Sequence, residues 1–479
     1  MNSLSKSGDS ITLSGLIHKI AQDISPMVKR LIVSSLYGML SSTMDNLKQL
    51  NRCQWYSKEE AHRDQKRRLR QLLRHSAENT DYYGGVLRDC GVVDSSGAVH
   101  LGKFGDIPLL DKEVLTQQFD SLHSSDLPKR SWKENTSGGS TGQPARFLQD
   151  DRYYDWGRAV KILYDRWTGY SLADRRVVLW GAERDILDGS RDPKKRFRDW
   201  LTNSLLLNSF KMGPEQMGRF VQEINDFEPI QILAYAESIF DLSQFIQEYD
   251  NELGHSPKAI LSSAGTLHPH MREVIEEVFD APVFNRYGSR EAGDMACECP
   301  EHEGLHVCMP THYVELLNGD GNPVRPGETG EVVVTVLQNY AMPLIRYRIG
   351  DTAIWADHDC SCGRGWPLLE KVVGRVTDNF VTTDGELIHG EFFTHLFYFR
   401  DWVEKFQVVQ RTPRHIEVFV VALEHRLGDD IVQADKKEII SNIQRVMGEG
   451  TCVDFEFVDE IEPTPSGKHR FSISHVHDI

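Results

Sequence analysis

The chain is poor in positive charge. Its 54 Lys and Arg stand against 71 Asp and Glu, for a net charge of −17. That balance argues against nucleic acid or an anionic membrane as the main partner, and an anionic substrate would need a local basic site. Cysteine is scarce as well. Eight in 479 residues are spread too thinly for a disulfide framework, and no secretory signal is apparent, so the expected compartment is the reducing cytoplasm. No hydrophobic run reaches the ~20 residues of a membrane span. The most apolar stretch, residues 11–40, holds Leu16-Ile17 and Leu31-Ile32-Val33, but Lys19, Asp23, Lys29 and Arg30 interrupt it, and it reads as amphipathic helix. There is no internal repeat and no low-complexity tract. What is present is an ordinary globular composition, 40% hydrophobic and 26% charged, enough for two or three domains of roughly 100–200 residues each.

The most unusual stretch is Glu134-Asn135-Thr136-Ser137-Gly138-Gly139-Ser140-Thr141-Gly142-Gln143-Pro144-Ala145-Arg146. Glycines let backbone N–H groups turn toward an anion without a Cβ in the way, and Ser and Thr hydroxyls add donors, so such a run can cradle a polyphosphate. The competing reading is a flexible hairpin tip. A nucleotide P-loop is excluded, because that motif needs Gly-Lys-Ser/Thr running into a helix, and here Gly142 is followed by Gln143-Pro144. Ala145-Arg146-Phe147 resumes as a strand, so the loop is placed between two strands of a hairpin.

Elsewhere the pattern is α/β. Ser57 to Glu60 has capping-box spacing and opens a long helix with Leu69, Leu72 and Leu73 on one face, which Asp81-Tyr82-Tyr83-Gly84-Gly85 is expected to break. Val177 to Trp180, Ile230 to Ala234, Ala259 to Ser263 and Pro282 to Phe284 read as buried strands between amphipathic runs such as 214–227 and 268–279, giving a largely parallel sheet. Ligands in such sheets bind beyond the carboxyl ends of the strands, which is where Ser263-Ala264-Gly265-Thr266 and the loop-like Asn285 to Glu291 fall. Short β runs follow, at 313–317, 330–337 and 344–348. After Gly374-Arg375-Val376-Thr377-Asp378 a small β/α pattern restarts, with strands at 406–410, 416–421 and 452–457 around a helix at 436–447. The expected architecture is therefore α/β, a large N-terminal domain with mixed sheets (1–374, of which 1–56 is a helical extension) plus a small mobile α+β C-terminal domain (375–479).

These pieces, in this order, resemble the adenylate-forming superfamily of acyl-CoA synthetases, adenylation domains and luciferases. Thr136 to Pro144 is similar to the family's Thr-Ser-Gly-Thr-Thr-Gly-Lys-Pro loop, Tyr287-Gly288-Ser289-Arg290-Glu291 to Tyr-Gly-x-Thr-Glu, and Tyr347-Arg348-Ile349-Gly350-Asp351 to Tyr-Arg-Thr-Gly-Asp. Gly374-Arg375-x-x-Asp378 resembles the hinge motif and Ser466-Gly467-Lys468 the catalytic-lysine motif. Within the superfamily the chain is most similar to the phenylacetate-CoA ligase-like branch and its CapK-type relatives, from about residue 60 onward.

The resemblance implies roles for particular residues. Ser137, Gly138, Gly139, Ser140, Thr141 and Gly142 would hold the β- and γ-phosphates of ATP. Glu291 would ligate Mg²⁺, Asp351 would accept hydrogen bonds from the ribose hydroxyls, and Ser263, Ala264 and Gly265 would lie against adenine or substrate. Tyr287, Gly288, Ser289 and Arg290 belong to the same nucleotide site. Arg375 would approach the ribose or α-phosphate, Lys468 would bridge the substrate carboxylate and α-phosphate, and Asp378 would be the hinge. Two departures stand out: Gln143 replaces the loop lysine, for which Arg146 is a partial substitute, and Arg290 replaces the threonine. Trp180, Tyr235 and Phe284 lie near strand ends where they could wall a pocket for a flat or apolar acid, although such aromatics also serve as ordinary core.

A second constellation is Cys297, Cys299, His302, His306 and Cys308, followed by His358, Cys360 and Cys362. Two tight clusters across a β segment fit a closed tetrahedral zinc site, with Cys299, one of His302 or His306, Cys360 and Cys362 as ligands and a structural role. The alternative is buried free thiols. The function expected from all of this is ATP-dependent activation of a carboxylic acid as acyl-AMP, with pyrophosphate release and transfer to CoA. Its rivals are transfer to an amine or protein, and a non-catalytic zinc-stabilised nucleotide-binding protein. No nucleic acid and no membrane are expected as partners.

Overall fold

The computed structural model describes residues 25–136, 145–180, 193–209, 212, 214–249, 252–375, 379–384, 387–389, 392–393, 396–397, 400, 402–422, 430–461 and 472–476. It opens on four helices, α1 (Pro26–Leu40), α2 (Thr43–Cys53), α3 (Lys58–Asn79) and α4 (Asp81–Asp89). The capping box of α3 is present: Ser57 Oγ accepts from the Glu60 N–H (3.3 Å) and Glu60 Oε2 accepts from the Ser57 N–H (3.0 Å). Leu69, Leu72 and Leu73 are buried on its inner face, each contributing roughly 1.5–3 kcal/mol of burial. The long helix ends at Asn79, with Thr80 extended, so the break expected at 81–85 is present, and the segment itself starts the next helix. Thr80 Oγ1 accepts from the Tyr83 N–H (3.2 Å) and so caps α4, and the Tyr83 hydroxyl is drawn into the core to accept from the Ile345 N–H (3.1 Å).

A short antiparallel hairpin, β1 (Trp132–Thr136) and β2 (Arg146–Asp150), flanks the glycine-rich stretch. The loop itself, 137–144, lies outside the described residues. Helix α5 (Asp151–Trp167) then leads to the parallel part of the sheet, β3 (Arg176–Leu179), β4 (Ser204–Leu207), β5 (Gln231–Tyr235), β6 (Ala259–Ser263) and β7 (Val283–Ser289). Helices α6 (Pro214–Phe227), α7 (Ala236–Glu248) and α8 (Pro269–Phe279) pack with these strands through Phe220, Ile239, Ile275 and Phe279. The other face meets α5 through Trp156, Ala159 and Leu163. With both faces covered, β6 is buried at every position, as a parallel strand requires.

At β7 the sheet changes character. It runs parallel to β6 and antiparallel to β8 (Gly293–Glu298), after which β9 (Leu305–Val307), β10 (His312–Leu317), β11 (Thr329–Val336), β12 (Tyr347–Trp355) and β13 (Leu368–Arg375) are all antiparallel. The single eleven-stranded sheet has the order β10-β11-β12-β13-β9-β8-β7-β6-β5-β3-β4. Two boundaries differ from the sequence reading. Tyr287-Gly288-Ser289 belongs to β7, not to a loop, because pairing with β8 extends the strand past Phe284. Leu344 to Arg346 precede β12; Arg346 takes a left-handed φ of 50°, which lets its guanidinium donate to the Ile107 carbonyl (2.6 Å) and meet Glu315 (3.2 Å).

Beyond β13 lie a two-stranded ribbon, β14 (Asn379–Val381) with β15 (Leu387–His389), and a four-stranded sheet of order β18-β17-β16-β19. The latter comprises β16 (Val403–Thr412), β17 (His415–Ala422), β18 (Cys452–Phe457) and β19 (Ser472–Ser474). Helix α9 (Asp430–Met447) buries Val432, Ile439, Ile443 and Met447 in the same core as Val408, Val418 and Val420. This is the α+β unit expected at the C-terminal end. No described helix is long and apolar enough to cross a membrane.

Candidate active site

The switch from parallel to antiparallel pairing opens a cavity of about 620 Å³ at the carboxyl ends of β5, β6 and β7. Ser263, Ala264 and Gly265 line it together with Tyr287, Gly288, Ser289, Arg290 and Glu291 and, from β12, Asp351. Every described residue predicted for the nucleotide site except Arg375 lines this one cleft. The Arg375 backbone stands directly across the β12–β13 ladder from Asp351, while its side chain lies outside the described residues. So do Ser137 to Gly142, Gln143, Asp378 and Lys468.

Local geometry explains why these residue types stand here. A Cβ at Gly288 would come within 2.5 Å of the Gly293 carbonyl oxygen, so only glycine lets β7 turn tightly into β8 and present Glu291. Gly350, with φ of +89°, allows the bend in β12 that precedes Asp351. The Tyr287 hydroxyl donates to Asp351 Oδ2 (2.8 Å), fixing the carboxylate at the rim. Glu291 is buried, and the turn that carries it is held by Gln149 Nε2, which donates to the carbonyls of Arg290 (3.0 Å) and Glu291 (3.3 Å). Ser289 Oγ accepts from the Ala292 N–H (3.1 Å) and closes the same turn.

Of the three candidate wall aromatics, Trp180 and Tyr235 line the cleft, their rings stacked 3.9 Å apart. Phe284 does not. It lies near the start of β7, is buried in the core and packs against His302. Arg146 is also committed elsewhere, in a bidentate pair with Glu134 (2.6 and 2.7 Å) across the hairpin, and so does not stand in as an unpaired loop cation.

Helix α5 contributes a face that the sequence reading did not assign. Tyr153, Tyr154, Arg158 and Lys161 line the cleft, and their spacing of three to four residues was the available signal. Burial pushes the Tyr153 phenol well above its ordinary range. Deeper in, Arg286 Nε donates to Ser263 Oγ (3.3 Å) and stands 3.6 Å from Asp294, whose second oxygen is 3.9 Å from Lys161 Nζ. Arg158, Lys161, Arg286 and Arg290 make this a locally basic site in an acidic chain.

The second constellation also assembles. Ligand atoms of Cys299, His306, Cys360 and Cys362 lie within 4.8 Å of one another. Cys299 Sγ is 3.6 Å from Cys360 Sγ, and Cys362 Sγ is 3.3 Å from His306 Nε2. His306 Nδ1 faces the Trp366 carbonyl (3.4 Å), an outer contact that leaves Nε2 as the donor atom toward the cluster. Burial lowers the His306 pKa to about 4, which keeps the imidazole neutral. Two thiols, a third thiol and a neutral imidazole at this spacing suit a tetrahedral thiophilic ion such as Zn²⁺. His302 is not brought in. Its φ of 53° turns it toward Glu298 (3.1 Å). Cys297 and Cys308 are buried in the core, and His358 is exposed beside Asp357.

The chain is similar to several known proteins. The CapK C-terminal domain family matches residues 380–475. The chain is 24% identical to Protein CapK of Staphylococcus aureus over 420 residues, covering 86% of this chain and 89% of that one. It is 22% identical to a phenylacetate-coenzyme A ligase of Thermus thermophilus over 407 residues, covering 78% and 86%. The chain is a homologue of CapK and of the phenylacetate-coenzyme A ligases. Among solved structures, 2-hydroxyisobutyryl-CoA ligase in the postadenylation state with 2-HIB-AMP superposes with a TM-score of 0.57 at 19% identity, covering 85% of this chain and 88% of that one. The fold of this chain, with a large mixed sheet and a smaller C-terminal sheet, is thus like that of the adenylate-forming ligases.

Proposed function

We propose that this chain activates a carboxylic acid with ATP as its acyl-adenylate, releases pyrophosphate, and transfers the acyl group to CoA. The observation that carries the reading is the single cleft in which Glu291, the Tyr287–Asp351 pair and Ser263 to Gly265 converge where the sheet changes from parallel to antiparallel. In the first step a carboxylate oxygen of the acid attacks the α-phosphorus and the bond to pyrophosphate breaks. In the second, the acceptor thiol attacks the acyl carbonyl and AMP leaves.

In this reading Asp351 orients the ribose, held by Tyr287, and the glycine-rich stretch from Ser137 to Gly142 receives the β- and γ-phosphates. Glu291 would hold Mg²⁺, which supplies charge neutralisation of the triphosphate. Arg290, Arg286 and Lys161 set a positive potential for an anionic substrate, and the Trp180–Tyr235 stack offers a flat apolar surface to the acid. Lys468 and Arg375 complete the charge around the α-phosphate. We place the domain boundary at 374/375 with Asp378 as hinge, so that Lys468 is delivered by docking of the small domain. Cys299, His306, Cys360 and Cys362 would hold a structural zinc; four protein ligands leave no open position for chemistry. We place the protein in the cytoplasm, where ATP and CoA are both at hand.

The test is pyrophosphate release across a panel of aryl, hydroxy and fatty acids, with and without CoA. Acid-dependent release that CoA accelerates, with thioester formed, is the expected result. Release with transfer only to an amine or a protein would replace CoA as the acceptor, and no acid-dependent release across the panel would overturn the proposal.

A further inference from the structure

A second cavity, of about 900 Å³, shares no lining residue with the cleft. One wall is the outer face of α3, with Glu59, His62, Arg63, Lys66 and Arg70, and the other is apolar, with Val307, Met309, Tyr313, Val314, Trp355 and Pro367. The walls are fixed relative to each other, because buried Gln65 on α3 donates to the His312 carbonyl at the start of β10 (2.7 Å).

The cations of α3 divide into two sets. Lys58 pairs with Asp359, Arg67 and Arg68 pair with Asp64, and Arg74 donates to the Gly97 carbonyl. Arg63, Lys66 and Arg70 have no ion pair or hydrogen bond among the described residues, and all three face the groove. Like charges three and four residues apart repel on a helix. In a chain of net charge −17, acidic partners are abundant, yet these three stand together without one. Arg63 and Arg70 lie about 10 Å apart along the axis, with Lys66 between them, at 1.5 Å per residue. Glu59 at the far end of the stripe repels an anion, which directs a negative head toward Lys66 and Arg70. Opposite them, Tyr313, Val314 and Trp355 remain partly exposed, an apolar surface next to a cationic one.

We propose that this groove binds an anionic amphiphile, a molecule with a phosphate- or carboxylate-type head held by Arg63, Lys66 and Arg70 and an apolar body laid on Tyr313, Val314 and Trp355. A purely polar anion would leave the apolar wall wet, and a neutral apolar ligand would leave the cations unused. The site does not depend on the ligase reading, since none of its residues belongs to the cleft.

The experiment uses the full chain and calorimetric titration with dodecyl phosphate below its critical micelle concentration. Dodecylphosphocholine serves as the same tail with a neutral head, and octyl phosphate and inorganic phosphate as the same head with a shorter tail or none. One saturable site is expected for dodecyl phosphate, with affinity falling as the tail shortens and at least tenfold weaker binding of the phosphocholine. The exposed triple variant R63Q/K66Q/R70Q should lose roughly tenfold in affinity for dodecyl phosphate, at about half a kcal/mol for each exposed pair, with ATP binding unchanged. Equal binding by the triple variant, equal binding of the phosphocholine, no saturable binding by the wild type, or loss of binding in Asp351→Ala would each overturn the site.

Discussion

The hydrogen bond from Tyr287 to Asp351 offers the sharpest test of the cleft, because it makes two substitutions interdependent. In Asp351→Ala the carboxylate is lost along with the bonds we propose it makes to both ribose hydroxyls. Hydrogen bonds to a charged group are worth about 1.5–3 kcal/mol each. Asp351 is only half-buried, so the lower end applies, and two bonds give about 3 kcal/mol, or roughly a hundredfold weaker ATP binding. Tyr287→Phe removes only the donor that orients Asp351 at 2.8 Å, and should weaken ATP binding about fivefold to tenfold. In the Asp351→Ala background, Tyr287→Phe should do almost nothing further, because its hydroxyl then has no carboxylate to orient. Isothermal titration with ATP and its 2′- and 3′-deoxy analogues reads all of this. The wild type should discriminate against both analogues, and Asp351→Ala should not. Additive losses in the double variant, or undiminished discrimination in Asp351→Ala, would remove Asp351 from ribose recognition.

Lys468→Ala should abolish most acyl-AMP formation while ATP affinity and melting temperature stay near wild type, since a charge that acts as the α-phosphate is attacked contributes little before then; wild-type pyrophosphate exchange in this variant would remove the lysine from the mechanism. Purified tag-free protein should contain about one zinc per chain by elemental analysis, and Cys360→Ser should lower the melting temperature more than the rate of the surviving enzyme; metal-free protein of full stability would refute the site. His312 is fully buried, its Nε2–H donating to the Ala292 carbonyl (2.9 Å) and its Nδ1 accepting from Thr311 (2.9 Å), and burial lowers its pKa to about 4. Because the folded value lies below the unfolded one, its contribution is intact above the unfolded pKa, ~6.5, and is lost as pH falls toward 4, on the order of 3 kcal/mol in all. Chemical denaturation from pH 7 to 4 should show this fall, with a shallower slope in His312→Gln; equal slopes would exclude the imidazole as a source.

Legibility in the sequence followed how local the determining physics was. The strands of the parallel half and the motifs at their ends could be read directly, because a continuous apolar run ending in small residues has few other destinations. Phe284 was misplaced for the same local reason: its run seemed to end there, and only pairing with β8 carries β7 on to Ser289. The break expected at Asp81-Tyr82-Tyr83-Gly84-Gly85 is there, since α3 ends at Asn79, but the Thr80 cap and a buried site for Tyr83 outweigh the cost of two helical glycines and start a new helix at once. The choice between His302 and His306 was not in the spacing at all. It depends on a left-handed turn at 302 and on the pairing of β9 with β13, which places His306 opposite Leu368. The α5 face was not assigned from the sequence, because which side of the helix meets the cleft is set by packing against β8.

The position of the Cys/His cluster gives the proposed metal a consequence for the distant cleft. Strand β9 joins β13 through only two residue pairs, Leu368 with His306 and Leu369 with Leu305, and joins β8 through three. This three-residue strand is the narrow seam between the half of the sheet that carries Glu291 and the half that carries Asp351. Cys299 lies just past β8, His306 is the middle residue of β9, and Cys360 and Cys362 lie between β12 and β13. A metal bound there would cross-link three segments where ladder hydrogen bonds are fewest. Without it, the neighbouring thiols Cys299 and Cys360 are pushed up in pKa by burial and contribute only weak contacts. Removal of the metal should therefore loosen β9 and β13 before the parallel half, and let the Asp351 wall drift relative to Glu291. Hydrogen exchange in chelator-treated protein should rise first at 305–307 and 368–369, with β5 and β6 still protected, and ATP affinity should fall without unfolding. Uniform exchange across the sheet, or ATP affinity unaffected by complete metal loss, would show that the seam holds without the cluster.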